Sequence, residues 1–349
     1  MQIAGILTLE RLKTLLDNHK NTKIGLIGDM CIDAYWRADM RKSELSRETP
    51  HYPLPVVEEC YSLGAGGNVA ANIAALGASK LLVAGIVGKD WRGQLVRTLL
   101  EGQGTGTDYI ITSETQVTNG YCKPYRRGIN DLEYEDPRID FMNFSPVNSA
   151  DEQKLLSCLE SMAREVDVLC VSDQCQFGCI TDRVREKIIE LGRSGVTVIV
   201  DSRDNINTYR HVITKPNEVE AAHAVNSNLK NGDGIHTNSL QDYAKIAKTL
   251  SQRNQAPVCC TLGSNGCLLA DTNAITHVPA HLVEPPIYIC GAGDAFLAAF
   301  AITRAGGATM VEAAQTAVLA SEIVIQKIGT TGSASDTEII NWYQKIQGV

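Results

Sequence analysis

Short β-branched runs alternate with helical stretches along most of this 349-residue chain, and that alternation restricts the fold more than any other feature of the sequence. Residues 23–27, 81–86, 166–171 and 196–200 read as strands bounded by turn signals. Helical segments fall between them at about 68–76, 93–102 and 182–191, and residues 258–262 and 267–270 continue the series as a hairpin. Strands that alternate with helices imply a mostly parallel sheet covered on both faces, an α/β fold. Upstream, Leu9, Leu12, Leu15 and Leu16 keep helical spacing behind a Thr8 cap. They predict an amphipathic helix over 8–20 within an N-terminal extension, residues 1–21. With 44% hydrophobic and 21% charged residues, residues 22–349 can bury one large core.

Two stretches break the rhythm. Residues 34–63 and 108–144 are rich in Tyr, Thr, Val and Arg, with Pro50, Pro53, Pro55 and Pro124 as breakers. They read as a small β appendage inserted twice into the main domain. Such a lid could close over a substrate and exclude water, or form the edge sheet of an oligomer, and the two roles are compatible.

Charge and cysteine usage exclude several function classes. The net charge is −8, and the 32 Lys and Arg form no dense basic block, which argues against a nucleic-acid partner. Eleven cysteines include the cluster Cys170, Cys175, Cys179 and the pair Cys259-Cys260, without the paired spacing of a zinc site. Reduced, buried thiols of a cytoplasmic protein are the expected account. No apolar span is long enough to cross a bilayer, so no membrane partner is expected.

Chemistry concentrates at two glycine-rich turns. Gly291-Ala292-Gly293-Asp294 runs into the small apolar stretch 295–300, which reads as a buried helix whose N-terminal amides face an anion, above all phosphate. Asp294 would then be available to take a proton from an attacking hydroxyl. The same residues can also form a plain turn with an N-cap aspartate. Gly64-Ala65-Gly66-Gly67-Asn68 leads into the other helix. Val69 occupies the third-glycine position of a dinucleotide fingerprint, and no Gly-Lys-Ser/Thr is present, so both common nucleotide folds are disfavoured. Backbone donors plus the Asn68 amide suit sugar hydroxyls. Asp29 and Asp33 add carboxylates where an open parallel sheet builds its site, or else cap turns there.

In combination these motifs resemble the ribokinase-like sugar kinases of the phosphofructokinase-B family. Lys215-Pro216-Asn217-Glu218-Val219-Glu220 is similar to that family's Asn-x-x-Glu motif, and Thr261-Leu262-Gly263-Ser264-Asn265-Gly266 to its nucleotide loop. Four motifs in the family's order, over about residues 22–335, are more specific than any one alone. Within the family, several segments look like the heptose-phosphate kinases. They are Gly28-Asp29 through Asp33-Ala34-Tyr35, Ser46-Arg47-Glu48-Thr49-Pro50, Pro55-Val56-Val57, Asn68 with Asn72, and Arg138-Ile139-Asp140-Phe141. Asp201-Ser202-Arg203 and the stretch 325–331 add to the likeness. Two places depart from it: Tyr288-Ile289-Cys290 replaces the usual carboxylate and hydroxyl before Gly291, and Gln176 stands for a lysine beyond Asp173.

The resemblance implies a ribokinase-like three-layer sandwich with a small β lid, acting as a stand-alone carbohydrate kinase. It implies Asp294 as general base, with the turn Gly291-Ala292-Gly293-Asp294 forming an anion hole through the amides of Ala292, Gly293 and Asp294. ATP would lie along Thr261, Gly263 and Gly266, and Asn217 with Glu220 would organise Mg²⁺ through water; a monovalent cation is left open. Asp33, Gly66, Gly67, Asn68, Asn72 and Asp173 would meet the sugar. Lys123, Arg126, Arg127 and Arg138 could reach a distal phosphate, or simply form a wet face. Glu220 could equally be a solvated helix residue. A homodimer through the lid is expected. A nucleoside acceptor, or a sugar-binding homologue with weakened catalysis, remains the alternative.

Overall fold

β-Branched runs and the helices between them build a ten-stranded sheet and a separate five-stranded lid sheet. The computed structural model describes residues 1–226, 239–329 and 331–348. Chain order gives β1 (Gln2–Ile3), α1 (Leu9–Asn18), β2 (Lys23–Gly28) and the lid strands β3 (Met30–Asp39) and β4 (Val56–Ala65). Next come α2 (Gly66–Ala75), β5 (Lys80–Gly88), α3 (Trp91–Gly102) and β6 (Ile110–Ser113). The chain re-enters the lid as β7 (Asn119–Arg127), β8 (Glu133–Glu135) and β9 (Ile139–Phe141). It returns through α4 (Ser149–Ala163), β10 (Val168–Asp173), α5 (Asp182–Arg193), β11 (Val198–Ser202) and β12 (Ile213–Thr214). Beyond these lie α6 (Glu218–Val225), α7 (Leu240–Asn254), the hairpin β13 (Val258–Thr261) and β14 (Cys267–Ala270), and β15 (Ile275–Val278). Helices α8 (Ala292–Ala305), α9 (Met310–Val324) and α10 (Asp336–Gln347) complete the described elements.

Period-two alternation divides the main sheet into two buried faces. On β10, Val168 and Cys170 join one apolar cluster, while Leu169 and Val171 join another; β2 divides in the same way, Ile24 and Leu26 against Ile27. The first face packs against α1, α2, α8, α9 and α10. The second packs against α4 and α5 and, on the hairpin side, α6 and α7. Each fully buried Leu or Ile contributes about 1.5–3 kcal/mol by leaving water. Pairing is parallel throughout except β13 with β14 and β14 with β15. The three-layer, mostly parallel expectation holds.

Strand order puts β10 and β5 on opposite sides of β2. The chain leaves β2 toward β5 and β6, and later proceeds from β10 the other way, so the β2–β10 boundary is the switch point where an open sheet leaves a crevice. Asp29 and Asp173 lie at the carboxyl ends of these two strands.

The lid differs from expectation at its limits. Strand β3 starts at Met30 and β4 continues through Ala65, so the first lid segment exceeds 34–63 at both ends. Residues 110–113 are not lid at all: Ile110 and Ile111 pair in parallel with Gly85 and Ile86, and β6 forms the main sheet's edge. Lid strand β3 pairs with β4 antiparallel and with β7 in parallel. Residues 1–21 dock on the main domain. Gln2–Ile3 pairs with β15, Arg11 bridges Glu312 on α9 at 2.7 Å, and Thr8 accepts from the Arg11 amide as helix cap.

Candidate active site

Helix α8 begins at the crevice, and glycine is required just before it. Gly291 has φ +84° and is the N-cap; a Cβ there would lie 3.0 Å from Asn68 Nδ2. Asp294 is therefore not the cap but the third helical residue, which removes the plain capped-turn reading. The Ala292 amide donates to Ile289 O at 3.3 Å, so it is not available for an anion. Among the described residues the Gly293 and Asp294 amides have no acceptor, leaving a two-donor anion hole at the positive end of the helix.

One partner holds the Asp294 side chain: Asn68 Nδ2 donates to Oδ2 at 2.7 Å. Asn72 in turn donates to Asn68 O at 2.9 Å and to Asn68 Oδ1 at 3.4 Å, fixing which end of the Asn68 amide faces the carboxylate. Burial pushes the Asp294 carboxyl up to about 7; the Asn68 bond and Lys215 oppose this, while Asp201 reinforces it. A base poised near neutrality is well matched to proton abstraction.

Lys215 is the main residue missed by sequence reading. It directly follows β12, its amide donates to Val200 O at 2.8 Å, and its buried ammonium pairs with Asp201 Oδ2 at 3.0 Å. A Cβ on Gly293 would lie 3.8 Å from its Nζ, which places this charge beside the anion hole. Burial alone would lower the Lys215 pKa, but Asp201, Glu220 and Asp294 together hold it up. A lysine adjoining Pro216-Asn217 at a strand end was the available signal.

Asn217 and Glu220 form a reciprocal capping box on α6. Asn217 Oδ1 accepts the Glu220 amide at 2.8 Å, and Glu220 Oε2 accepts the Asn217 amide at 2.8 Å. Glu220 is thus not a solvated helix residue. Burial pushes its carboxyl up to about 7, with Asp201 adding to the shift and Lys215 opposing it. Thr261 ends β13, and the turn after it needs Gly266, whose φ is +80° and whose Cβ would lie 2.1 Å from Val278 O. Asn217, Glu220, Thr261, Gly263 and Gly266 share one cavity of about 730 Å³ with Asp294. Leu282, Val283, Val318 and Ile325 form its apolar end. Among the described residues, no group of three or more His, Cys, Asp or Glu is placed to hold a metal ion directly.

On the lid side of Asp294, the expected sugar contacts separate into two groups. Asp33, on β3, faces Lys123 from β7 at 3.3 Å, and Gly66 and Gly67 open α2 beside Asn68. By contrast, Asn72 is buried and engaged inside α2, so it positions Asn68 and does not face a ligand. Asp173 lies deeper. It is 3% exposed, and its Oδ2 accepts from Ser202 Oγ at 2.8 Å, Tyr209 OH at 2.9 Å and Asn205 Nδ2 at 3.2 Å, which leaves Oδ1 as its one oxygen without a hydrogen bond among the described residues. Asp29 ties down the loop after β10 by accepting the Gln174, Cys175 and Cys179 amides. Arg138 is clamped two-fold by Asp140, at 2.6 and 2.7 Å, with its guanidinium over Tyr121. The Tyr288 amide donates to Ile325 O at 2.7 Å, so α9 anchors the divergent Tyr288-Ile289-Cys290 loop. Thr331 Oγ1 meets lid Ser62 at 3.1 Å, and Thr330 lies outside the described residues. All eleven cysteines are free.

Comparison with known proteins places this geometry in context. The family model described as "pfkB family carbohydrate kinase" matches residues 21–337. The bifunctional protein HldE of Caulobacter vibrioides is 30% identical over 312 residues, covering 87% of this chain and 60% of that protein. HldE of Caulobacter sp. is 31% identical, with 89% and 61% covered. The chain thus spans about three-fifths of the length of these relatives. Among solved structures, Arabidopsis thaliana ribokinase complexed with ribose and ATP superposes with TM-score 0.67 at 18% identity, covering 92% of this chain and 98% of that one. Escherichia coli phosphofructokinase-2 in complex with potassium gives 0.69 at 20%, covering 93% and 99%.

Proposed function

Because the chain belongs to the pfkB family of carbohydrate kinases, we propose that it transfers the γ-phosphoryl group of ATP to a hydroxyl of a sugar or sugar phosphate, with Asp294 as general base. One observation carries this reading. A carboxylate raised to about 7, with a single hydrogen-bond partner among the described residues, stands in a large cavity beside two helix amides that have no acceptor among those residues.

Asp294 takes the proton of the acceptor hydroxyl as its oxygen attacks phosphorus. The Gly293 and Asp294 amides and the Lys215 ammonium stabilise charge on the transferred group. Thr261, Gly263 and Gly266 line the nucleotide, and the apolar end of the cavity suits its base. The residues present fit Mg²⁺ held through water. Glu220 Oε1 and Asp201 Oδ1 accept no hydrogen bond among the described residues, and oxygen donors suit this hard cation. When bound, Mg²⁺ neutralises charge on the phosphate oxygens.

Asp33 with the Gly66-Gly67 turn orients the acceptor, and the resemblance to heptose-phosphate kinases favours a phosphorylated one. The lid exposes Leu54, Val56, Val57, Leu132 and Tyr134, a surface suited to a homodimer through the lid. No helix among the described residues is long and apolar enough to cross a membrane, and free thiols fit a cytoplasmic setting.

The test is Mg²⁺-dependent ATP consumption with heptose phosphates, hexoses, pentoses and nucleosides, comparing the protein with Asp294→Asn. Turnover on a sugar or sugar phosphate is expected, with kcat about 10²- to 10⁴-fold lower in the variant. Equal turnover by the variant removes Asp294 as base, and absence of turnover on every acceptor overturns the kinase reading.

A further inference from the structure

Two thiols 144 residues apart in the chain meet where lid strand β3 leaves the main sheet. Cys31 Sγ, on β3, lies 3.9 Å from Cys175 Sγ, in the turn after β10. Strand register fixes this approach. Cys31 pairs with Asn119 and Asp33 with Tyr121, so these four side chains share one face of the lid. Asn119 Nδ2 donates to Cys175 Sγ at 3.1 Å, and Tyr121 is also hydrogen-bonded to that sulfur, which seats Cys175 against the same face. From the main sheet, Asp29 holds the turn by accepting the Gln174 and Cys175 amides at 2.8 and 2.7 Å. Neighbours from both lid and main sheet therefore keep the two sulfurs together.

The pair is unequal in access. Cys31 is fully buried, whereas Cys175 is half-buried and lines a cavity of about 170 Å³ between β7 and the turn. A small oxidant thus reaches Cys175 first. Its hydrogen bond with Cys175 and its burial push the Cys31 thiol up, so Cys31 keeps its proton and donates toward Cys175. An accessible sulfur that attacks, beside a protonated thiol that resolves, is the arrangement a two-step oxidation needs. By contrast, Cys259 and Cys267, which also meet, are both fully buried in the β13–β14 hairpin. Cys175 also stands beside Gln176, in the stretch where the sequence departs from the heptose-phosphate kinases.

We propose that Cys31 and Cys175 form a reversible disulfide, driven by a hydroperoxide, that locks the root of the lid onto the loop after β10. The Cys175 sulfur attacks the terminal peroxide oxygen and the O–O bond breaks. The Cys175 proton leaves on the other oxygen, as an alcohol or, from hydrogen peroxide, as water, and Cys175 becomes a sulfenic acid. The Cys31 sulfur then attacks that sulfur, the S–O bond breaks, and hydroxide departs with the Cys31 proton as water. Two thiols are oxidised and one hydroperoxide is reduced. The sulfurs must approach by about 2 Å, which side-chain rotation at the half-buried Cys175 supplies. Asp33 follows Cys31 by two residues on the same face, so the crosslink also restrains the acceptor side of the lid. Its effect on turnover rests on the kinase reading; formation of the bond does not.

The test treats the full chain with hydrogen peroxide, alkylates the remaining thiols and maps the peptides by mass spectrometry. A Cys31–Cys175 crosslink that dithiothreitol removes is expected. In Cys31→Ser, dimedone should trap a sulfenic acid on Cys175; in Cys175→Ser, Cys31 should remain a thiol. Crosslinking should slow hydrogen exchange of the β3 and β7 amides. It should also lower kcat on the acceptor about tenfold, with recovery in dithiothreitol, and Cys175→Ser should keep its rate through the same treatment. No crosslink in the folded chain, a crosslink to another cysteine, or dimedone on Cys31 in Cys175→Ser would overturn the disulfide. Unchanged exchange or unchanged kcat in the fully crosslinked chain would overturn the lock, as would equal loss of rate in Cys175→Ser. A reduced chain that turns over no acceptor would refute the kinase reading alone, because the crosslink and the exchange rates still decide the lock.

Discussion

The cavity floor and the lid strands both carry charged side chains, and they leave them in different states. On the lid, arginines and carboxylates meet in two-fold or short contacts, as in Arg138 with Asp140 and Arg41 with Asp39, close to solvent. On the floor, one buried ammonium, Lys215, is surrounded by Asp201, Glu220 and Asp294, and two helix amides have no acceptor among the described residues. Local charge pairs stabilise the lid's own conformation but leave little for a ligand. The floor holds three carboxylates around one ammonium, an excess of negative charge that suits a metal-phosphate ligand bringing its own positive and negative charge.

The contrast predicts unequal sensitivity. Lys215→Met removes the buried cation that faces three carboxylates and should destabilise the fold by about 3–5 kcal/mol, read by chemical denaturation. A loss below about 1 kcal/mol would mean that the floor tolerates uncompensated charge, and the comparison would fail. Next in size is the pH response. The base works when ionised, so with Asp294 pushed up to about 7, kcat/KM should rise with pH through neutrality, falling about tenfold per unit below it. Asn68 lowers that pKa, so Asn68→Ala should move the acid limb to higher pH and cost about tenfold in kcat/KM at pH 7. An unmoved limb would detach the Asn68 contact from the base. The same shift has a stability side. A carboxyl raised in the folded state gives stability that is complete below the ordinary aspartate range and is lost as pH rises through about 7. Asp294→Asn should therefore raise the thermal midpoint more at pH 8 than at pH 5. The smallest effect is expected on the lid, where Arg138→Ala should change stability by about 0–1 kcal/mol, because an exposed pair gains little over water. A larger loss there would erase the distinction between the two regions.

Much of this architecture was legible before any coordinates. Leu12, Leu15 and Leu16 all fall on the buried face of α1, and the 258–262 and 267–270 runs form the expected hairpin, because helical and period-two spacing are local properties. Gly291 to Asp294 likewise announced a helix start. Less legible was which aspartate remains reachable. Asp173 and Asp294 are both candidate site carboxylates in the sequence, yet one oxygen of Asp173 is held by Ser202, Asn205 and Tyr209 from beyond β10, whereas among the described residues Asp294 accepts from Asn68 alone. Residues 110–113 resembled lid because a short apolar strand carries no record of which sheet it will join. Arg138 likewise looked free until Asp140 was seen to hold it.

The sequence by itself determined the alternating α/β architecture, the glycines that set two helix starts, and the order of four motifs along the chain, since each depends on neighbours within a few turns. Only the tertiary structure decided which charges stay available. Lys215 reaches Asp201 and Asn68 reaches Asp294 because segments far apart in the chain converge at the β2–β10 crevice. Electrostatic matching is a property of distance in space, and separation along the chain does not report it.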